Sequence, residues 1–295
     1  MKKKQQSKRE DKWQAKSDPN KEDRENRLYI LDKPLDTSEK IVIDIKEIKD
    51  FCLCPMYHNI KYSNDNEINI KDLYEFELKK VFYNYLKALQ EGTLKNTIQM
   101  LKYQWGKSWI KNKTATELIV TATDSKVDSW NTRRKNGIEC ILNFDEAMSL
   151  DEQYPIVINH KYEIEIIPGV ILTGTFEYIR EITDKNGNDI IQLLNFDIEP
   201  SSKINNHAML NNIVSIASAY AFNELFEPTY FQNVVLNVSK NKFYINKYSE
   251  KHFKLLKNTI KSVIISLQND INCISFDERC YRCSYKKTCK AILGV

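Results

Sequence analysis

The chain has 295 residues, 42% of them hydrophobic, 11% aromatic and 28% charged. That is enough apolar material to bury a sizeable core, and it excludes wholesale disorder. Seven Gly and seven Pro exclude collagen-like, linker-like and Gly-rich chains. The formal net charge is +4, but residues 1–27 alone carry ten basic and six acidic side chains, which leaves 34 of each sign in the remainder. Bulk charge therefore gives no argument for a nucleic-acid partner, and any such site is a local patch.

Residues 1–27 hold one aromatic, Trp13, and almost no aliphatics. They read as a disordered charged tail, either a solvated leader or an arm that contacts DNA or a partner. No apolar run reaches the roughly 18 residues of a membrane span, and no apolar stretch follows the Lys-rich start. The expectation is a cytoplasmic protein with no membrane partner.

A single domain is expected over 28–295. Residues 44–62 read as a helix start followed by an aromatic-rich turn at Cys54-Pro55. A helix is expected over 70–90, where Leu73, Phe76, Val81, Leu86 and Leu89 recur at helical spacing and Lys79, Lys80 and Lys87 fall off that face. Helical character continues through 94–111 and around 128–150. The period then changes. Runs 155–167, 169–182 and 189–199 are rich in β-branched and aromatic residues, with turn signals at Pro168-Gly169 and at Asp184 to Gly187. A helix at 207–226, a strand at 230–238 and a helix at 249–268 follow. Helices, three strands, helix, strand, helix is an α/β order, a mixed central sheet flanked by helices.

Three carboxylates fall on this hairpin. Glu177 lies in the second strand, and Asp197 and Glu199, two apart, share a face at the end of the third. Converging there they would suit Mg²⁺ or Mn²⁺, though acids at strand ends are commonly just solvated. Seven cysteines in a chain with no export signal argue for metal rather than disulfides. Cys280, Cys283 and Cys289 form C-x₂-C-x₅-C, with Cys54 the best fourth ligand and Cys52 a near substitute. On ligand count the set suits zinc and an iron–sulfur cluster equally. Cys140 and Cys273 read as ordinary thiols, and the four scattered histidines as structural. Lys107, Lys111 and Lys113 with Trp105 and Trp109, Arg133 to Lys135, and Lys286, Lys287 and Lys290 with Arg282 and Tyr285 are candidate phosphate-contacting stretches or solvated surface. No Walker or GxGxxG sequence is present, so a nucleotide motor on this chain is not expected.

Taken together, the early Cys54-Pro55, Gly174-Thr175-Phe176-Glu177, Asn195-Phe196-Asp197-Ile198-Glu199, Tyr220 and the closing C-x₂-C-x₅-C resemble the iron–sulfur branch of the PD-(D/E)xK nucleases. That branch includes the RecB-like domains of recombination helicases and the nuclease of CRISPR adaptation. The motifs run in order from about residue 44 to 289. Glu177 looks like the acid of the family's GxxD motif, Asp197 like that of its DxK strand, and Tyr220 like the Tyr of QxxxY. The resemblance implies a restriction-endonuclease-like sheet. It also implies a 4Fe–4S cluster on Cys54, Cys280, Cys283 and Cys289, joining the C-terminal cysteines to an N-terminal one. It implies a divalent ion at Glu177 and Asp197, and DNA, as ends or single strands, as substrate, with a helicase or other protein subunit as partner in repair or defence.

The departures are equally specific. Glu199 stands where the family has its catalytic Lys, Ile216 where it has Gln, and no His lies between His58 and His160. A Glu in place of that Lys reverses the local charge. Either Glu199 serves as an extra ligand and base beside Glu177, Asp197 and Tyr220, or a migrated Lys such as Lys203 restores hydrolysis. Otherwise the chain is a catalytically inactive nuclease fold that binds DNA or scaffolds a partner.

Overall fold

The computed structural model describes residues 34–293 except 64–69, 94–96, 117–129, 150–152, 184–186, 199–211, 229, 272–279, 281–282 and 284. The charged tail, Glu199, Lys203, His207 and Cys273 lie outside the described residues. β1 (Ile41–Asp44) leads into α1 (Ile45–Leu53), and α2 (Pro55–Ser63) follows directly. Three longer helices come next: α3 (Ile70–Gln90), α4 (Thr97–Thr116) and α5 (Trp130–Ser149). The meander β2 (Gln153–Ile167), β3 (Val170–Thr183) and β4 (Asp189–Asp197) precedes α6 (Ile213–Phe226). β5 (Gln232–Asn237), β6 (Lys242–Asn246), α7 (Glu250–Gln268) and α8 (Lys286–Leu293) complete the order. Among the described residues no helix is long and apolar enough to cross a membrane.

The expected mixed sheet is present, with six strands and flanking helices. β2–β3, β3–β4 and β5–β6 pair antiparallel, whereas β1–β3 and β4–β5 pair parallel. Sequence periodicity missed β1 and β6, because runs of four and five residues are too short to display a period.

Each face of the sheet carries its own core. On one side Tyr178, Leu194, Phe196, Val234 and Leu236 pack against α3, α4 and α5 through Leu78, Phe82, Leu86, Trp105 and Phe144. On the other, Leu172, Phe176, Ile179 and Leu193 meet α1, α6 and α7 through Ile48, Ala217, Tyr220, Ile260 and Val263. α6 is buried on almost every side, which its Ala- and Ser-rich sequence permits because small side chains allow close approach to the strands.

The apolar stripe of α3 includes the expected Leu73, Val81 and Leu86 but not Phe76. Phe76 is 63% exposed while Lys79 is only 9% exposed. The buried stripe runs through Tyr74, Leu78, Val81, Phe82, Tyr85 and Leu86, which turns Lys79 inward and Phe76 outward. Trp105 and Trp109 are likewise core residues. Their rings stack at 4.9 Å, and Trp130 stacks on Trp109 at 4.0 Å. The Trp indoles donate to Arg134 O and Trp130 O, both at 3.1 Å, so they offer no surface for bases.

The break between α1 and α2 has a local cause. Pro55 lacks an N–H and disfavours helical geometry at the preceding residue, and Cys54 is extended at φ −168°. Cys54 nevertheless ends α1 through its N–H to Asp50 O and begins α2 by accepting from His58 N. The turn expected at Cys54-Pro55 is thus a single residue between two helices.

Gly137 of α5 lies flat against the Trp105 ring, where a β-carbon would overlap Cε2 and Cζ2. Gly137→Ala is expected to lower stability by about 1–3 kcal/mol through overpacking, despite Ala being the better helix former. Urea denaturation followed by Trp fluorescence checks this, and an unchanged midpoint contradicts it.

Candidate functional site

β3 shares one edge with β2 along most of its length, so β1 and β4 divide the other. β1 covers Val170–Thr173 and β4 covers Tyr178–Thr183. Gly174-Thr175-Phe176-Glu177 falls in the opening between them. The strand also slips phase here. Phe176 faces the α6 side, Tyr178 faces the α3 side, and Ile179 returns to the α6 side. Opposite, Asn159 of β2 takes φ +51°, a left-handed conformation that Asn tolerates. β4 continues past its pairing with β3 and follows β5 alone through Asp197.

Glu177 bridges this opening. One carboxylate oxygen accepts the N–H of Phe196 on the departing strand, and the other accepts the Lys79 ammonium at 2.5 Å. Lys79 also bonds Glu75, one turn earlier on α3, at 2.7 Å. Lys79 and Glu177 are both buried. An ammonium in that setting is tolerable only because two carboxylates compensate its desolvation, and they hold its pKa well above the ordinary lysine value. Lys79 in turn pulls Glu75 below the ordinary carboxylate range, against the opposing effect of burial, and Lys49 and Lys46 of α1 add to that pull. Burial, with the Glu177 charge second, pushes the neighbouring Tyr83 phenol up.

Asp197 follows Phe196, the residue whose amide Glu177 binds, and pairs with Asn237 of β5. Its side chain accepts from Asn237 Nδ2 at 3.0 Å. Extending the Tyr178–Leu194 register by one step places Asn195 across from Glu177. Asn195 Oδ1 accepts from Ser218 on α6 at 3.2 Å, and its Nδ2 is buried without a partner. Tyr220 is buried on the α6 side. Its ring meets Phe253 edge-on, and the Lys257 ammonium lies 4.8 Å from its centroid, both partners belonging to α7. Among the described residues no three His, Cys, Asp or Glu side chains are placed to hold a metal ion.

Sequence reasoning missed Glu75, Lys79 and Asn195. Glu75 and Lys79 have the i,i+4 spacing of an ordinary surface ion pair, and nothing in the sequence distinguishes a buried one. Asn195 stands in the quoted motif but carries no charge to draw attention.

The cysteines assemble at the far ends of the chain. Met56, Ile60 and Tyr285 form a small cluster against which Cys54, Cys283 and Cys289 pack. Burial raises the Cys283 and Cys289 thiols, and Cys54 and Cys280 add a Coulombic contribution to each. Cys283 itself feels Cys289, so the four expected thiols lie within electrostatic reach of one another. Cys283 N–H turns back to Cys280 O, and Cys289 N–H to Tyr285 O. Cys52 is exposed and Cys140 is buried in the main core. Lys61 braces the Cys54 corner by pairing with Asp50 of α1 and Asp72 of α3, both at 2.7 Å.

The Glu75–Lys79–Glu177 set makes stability pH-dependent. Glu75 has a folded pKa below its unfolded value, so its contribution is present above about pH 4.3 and lost as pH falls through the folded value. Lys79 has the opposite shift, and its contribution is present below about pH 10.4 and lost as pH rises through the folded value. Glu75→Gln is expected to be less stable than wild type near neutrality, and the gap is expected to hold above about pH 5 and to narrow as pH falls below about 4.3. Urea midpoints across that range measure it, and a constant gap would argue against the ion pair as its source.

No protein-family model matches the chain. No curated protein matches it significantly either.

Proposed function

We propose that the protein is a PD-(D/E)xK nuclease-like, DNA-processing chain whose site binds nucleic acid without hydrolysing it. The supporting observation is the Lys79 ammonium, which lies between Glu75 and Glu177. It supplies in covalent form the positive charge that a divalent ion would otherwise bring to Glu177. The expected Mg²⁺ or Mn²⁺ site at Glu177 and Asp197 does not fit the side chains as they are arranged. Both Glu177 oxygens are already engaged, and the Asp197 carboxylate accepts from Asn237. Glu199 remains a candidate ligand from sequence. In this reading Glu177 and Lys79 fix the path of β4 as it leaves β3, and they keep the opening between the strands polar and dry.

A second reading is metal-dependent hydrolysis of DNA ends or single strands, and the same lysine favours it. Lys79 arrives from α3 onto Glu177, whose other oxygen binds the Phe196 amide next to Asp197 in sequence, so it could replace the Lys absent at Glu199. There it would offset phosphate charge and orient a water, while Glu177 and Asp197, released from their present partners, would hold the ion together with Glu199. Such an ion supplies Lewis acidity and an activated water. Tyr220, tied to α7, supports the helix rather than touching substrate.

The cysteines are read as a structural centre in either case. Cys54, Cys280, Cys283 and Cys289 are the right donors for a 4Fe–4S cluster or a zinc ion, and a bound cation would relieve the thiols of Cys283 and Cys289, which burial raises. The centre would staple the α1–α2 corner to α8. A helicase or another protein subunit is the expected partner.

Cleavage of single- and double-stranded DNA with Mg²⁺ or Mn²⁺ separates the readings. The binding reading expects none from wild type. The hydrolytic one expects cleavage that both Asp197→Asn and Lys79→Ala abolish. Cys283→Ser is expected to lose bound iron or zinc and to melt lower, as metal analysis and calorimetry would show. A variant with wild-type metal content and melting removes the cluster.

A further inference from the structure

We infer that the outer face of the α3–α4 hairpin is a track for single-stranded nucleic acid. The choice of ligand rests on the nucleic-acid reading above, but the residues are separate from Glu177 and its partners. The two helices enclose a groove of about 220 Å³, lined by Lys80 and Asn84 of α3 and by Gln104, Lys107 and Lys111 of α4. Its floor is the buried Glu77 carboxylate, which accepts the Ser108 hydroxyl and so is already satisfied. Gln104 Oε1 is buried in this lining without a hydrogen-bond partner. An unpaired buried amide oxygen costs free energy until a donor reaches it, and a base amino group is such a donor.

Charge is distributed unevenly here. Beyond the tail the chain carries equal numbers of acids and bases. Yet the residues of α3 and α4 described as exposed include Lys80, Lys87, Lys107 and Lys111 and no Asp or Glu. Lys107 and Lys111 are one turn apart, about 6 Å along the axis. Phe76 and Tyr103 lie four residues before Lys80 and Lys107, 63% and 67% exposed. Exposed rings interleaved with lysines are what a single strand uses, stacking bases on the rings and running its phosphates along the ammonium groups. A concave, amide-lined groove admits a strand of nucleotides and not a flat lipid surface. The basic stretch at 105–113 therefore contributes its lysines to this face, while its tryptophans belong to the core.

The test uses the full-length protein and a fluorescent oligothymidylate, with EDTA present so that binding is read without turnover. Wild type is expected to bind with a strongly salt-dependent affinity. Lys80→Glu/Lys107→Glu/Lys111→Glu is expected to weaken binding at least about tenfold near 0.1 M salt and to flatten the log–log salt slope by about 2. Phe76→Ala/Tyr103→Ala is expected to weaken binding with the slope unchanged. Lys251→Glu/Lys254→Glu/Lys261→Glu on α7 makes the same charge change elsewhere on the exposed surface and serves as the control. All the substituted positions are exposed, and melting temperatures confirm that the variants fold. If the hairpin variant behaves as the α7 control does, the track is overturned while the nucleic-acid reading survives. If wild type binds vesicles of mixed phosphatidylserine and phosphatidylcholine but no oligonucleotide, both are overturned.

Discussion

One buried ammonium determines how this molecule uses its sheet. A lysine placed between two carboxylates in a low-dielectric interior is held there because removing any member leaves the others uncompensated. Here the members come from α3 and β3, and Glu177 further binds the backbone of β4. Helix, central strand and departing strand are thereby joined at the point where the ladder opens. The phase slip at Glu177 and the left-handed Asn159 opposite it belong to the same local geometry. Without an irregular step, strand alternation would put Phe176 and Tyr178 on the same face of the sheet.

The opening has a consequence for chemistry. A site that already contains its cation has less use for a metal ion, and carboxylates that are hydrogen-bonded and ion-paired are poor ligands until something displaces their partners. That is why the same three side chains serve both readings of function. The lysine is either a permanent counter-ion or a catalytic group at rest. The hairpin groove is indifferent to the choice, since its lysines lie exposed on α3 and α4, apart from Glu177 and its partners.

The cysteine corner solves a different problem. α8 is short and its described contacts lie chiefly against α2. Tyr57 and Tyr285 meet edge-on at 5.2 Å, and Cys54, Cys283 and Cys289 pack in the same small cluster. Burial there raises the thiols of Cys283 and Cys289.

By itself the sequence determined most of the secondary structure. The helix at 70–90, the three-strand meander, α6, β5 and α7 follow from periodicity and turn residues, because these depend on neighbours close along the chain. The spacing of Cys280, Cys283 and Cys289 marks them as candidate ligands, and the structure packs Cys54, Cys283 and Cys289 on one small apolar cluster. The tertiary structure decided what those residues touch. Lys79 reads as a solvent-facing helix residue until the sheet is laid against α3. Phe76 reads as core until the stripe through Leu78 and Phe82 is seen to lie on the other side. Trp105 and Trp109 read as a surface platform until Trp130 stacks on them. Each reversal has the same cause. A helical repeat fixes which residues share a face but not which face is buried, and that is settled only by the elements, distant in sequence, that pack against it.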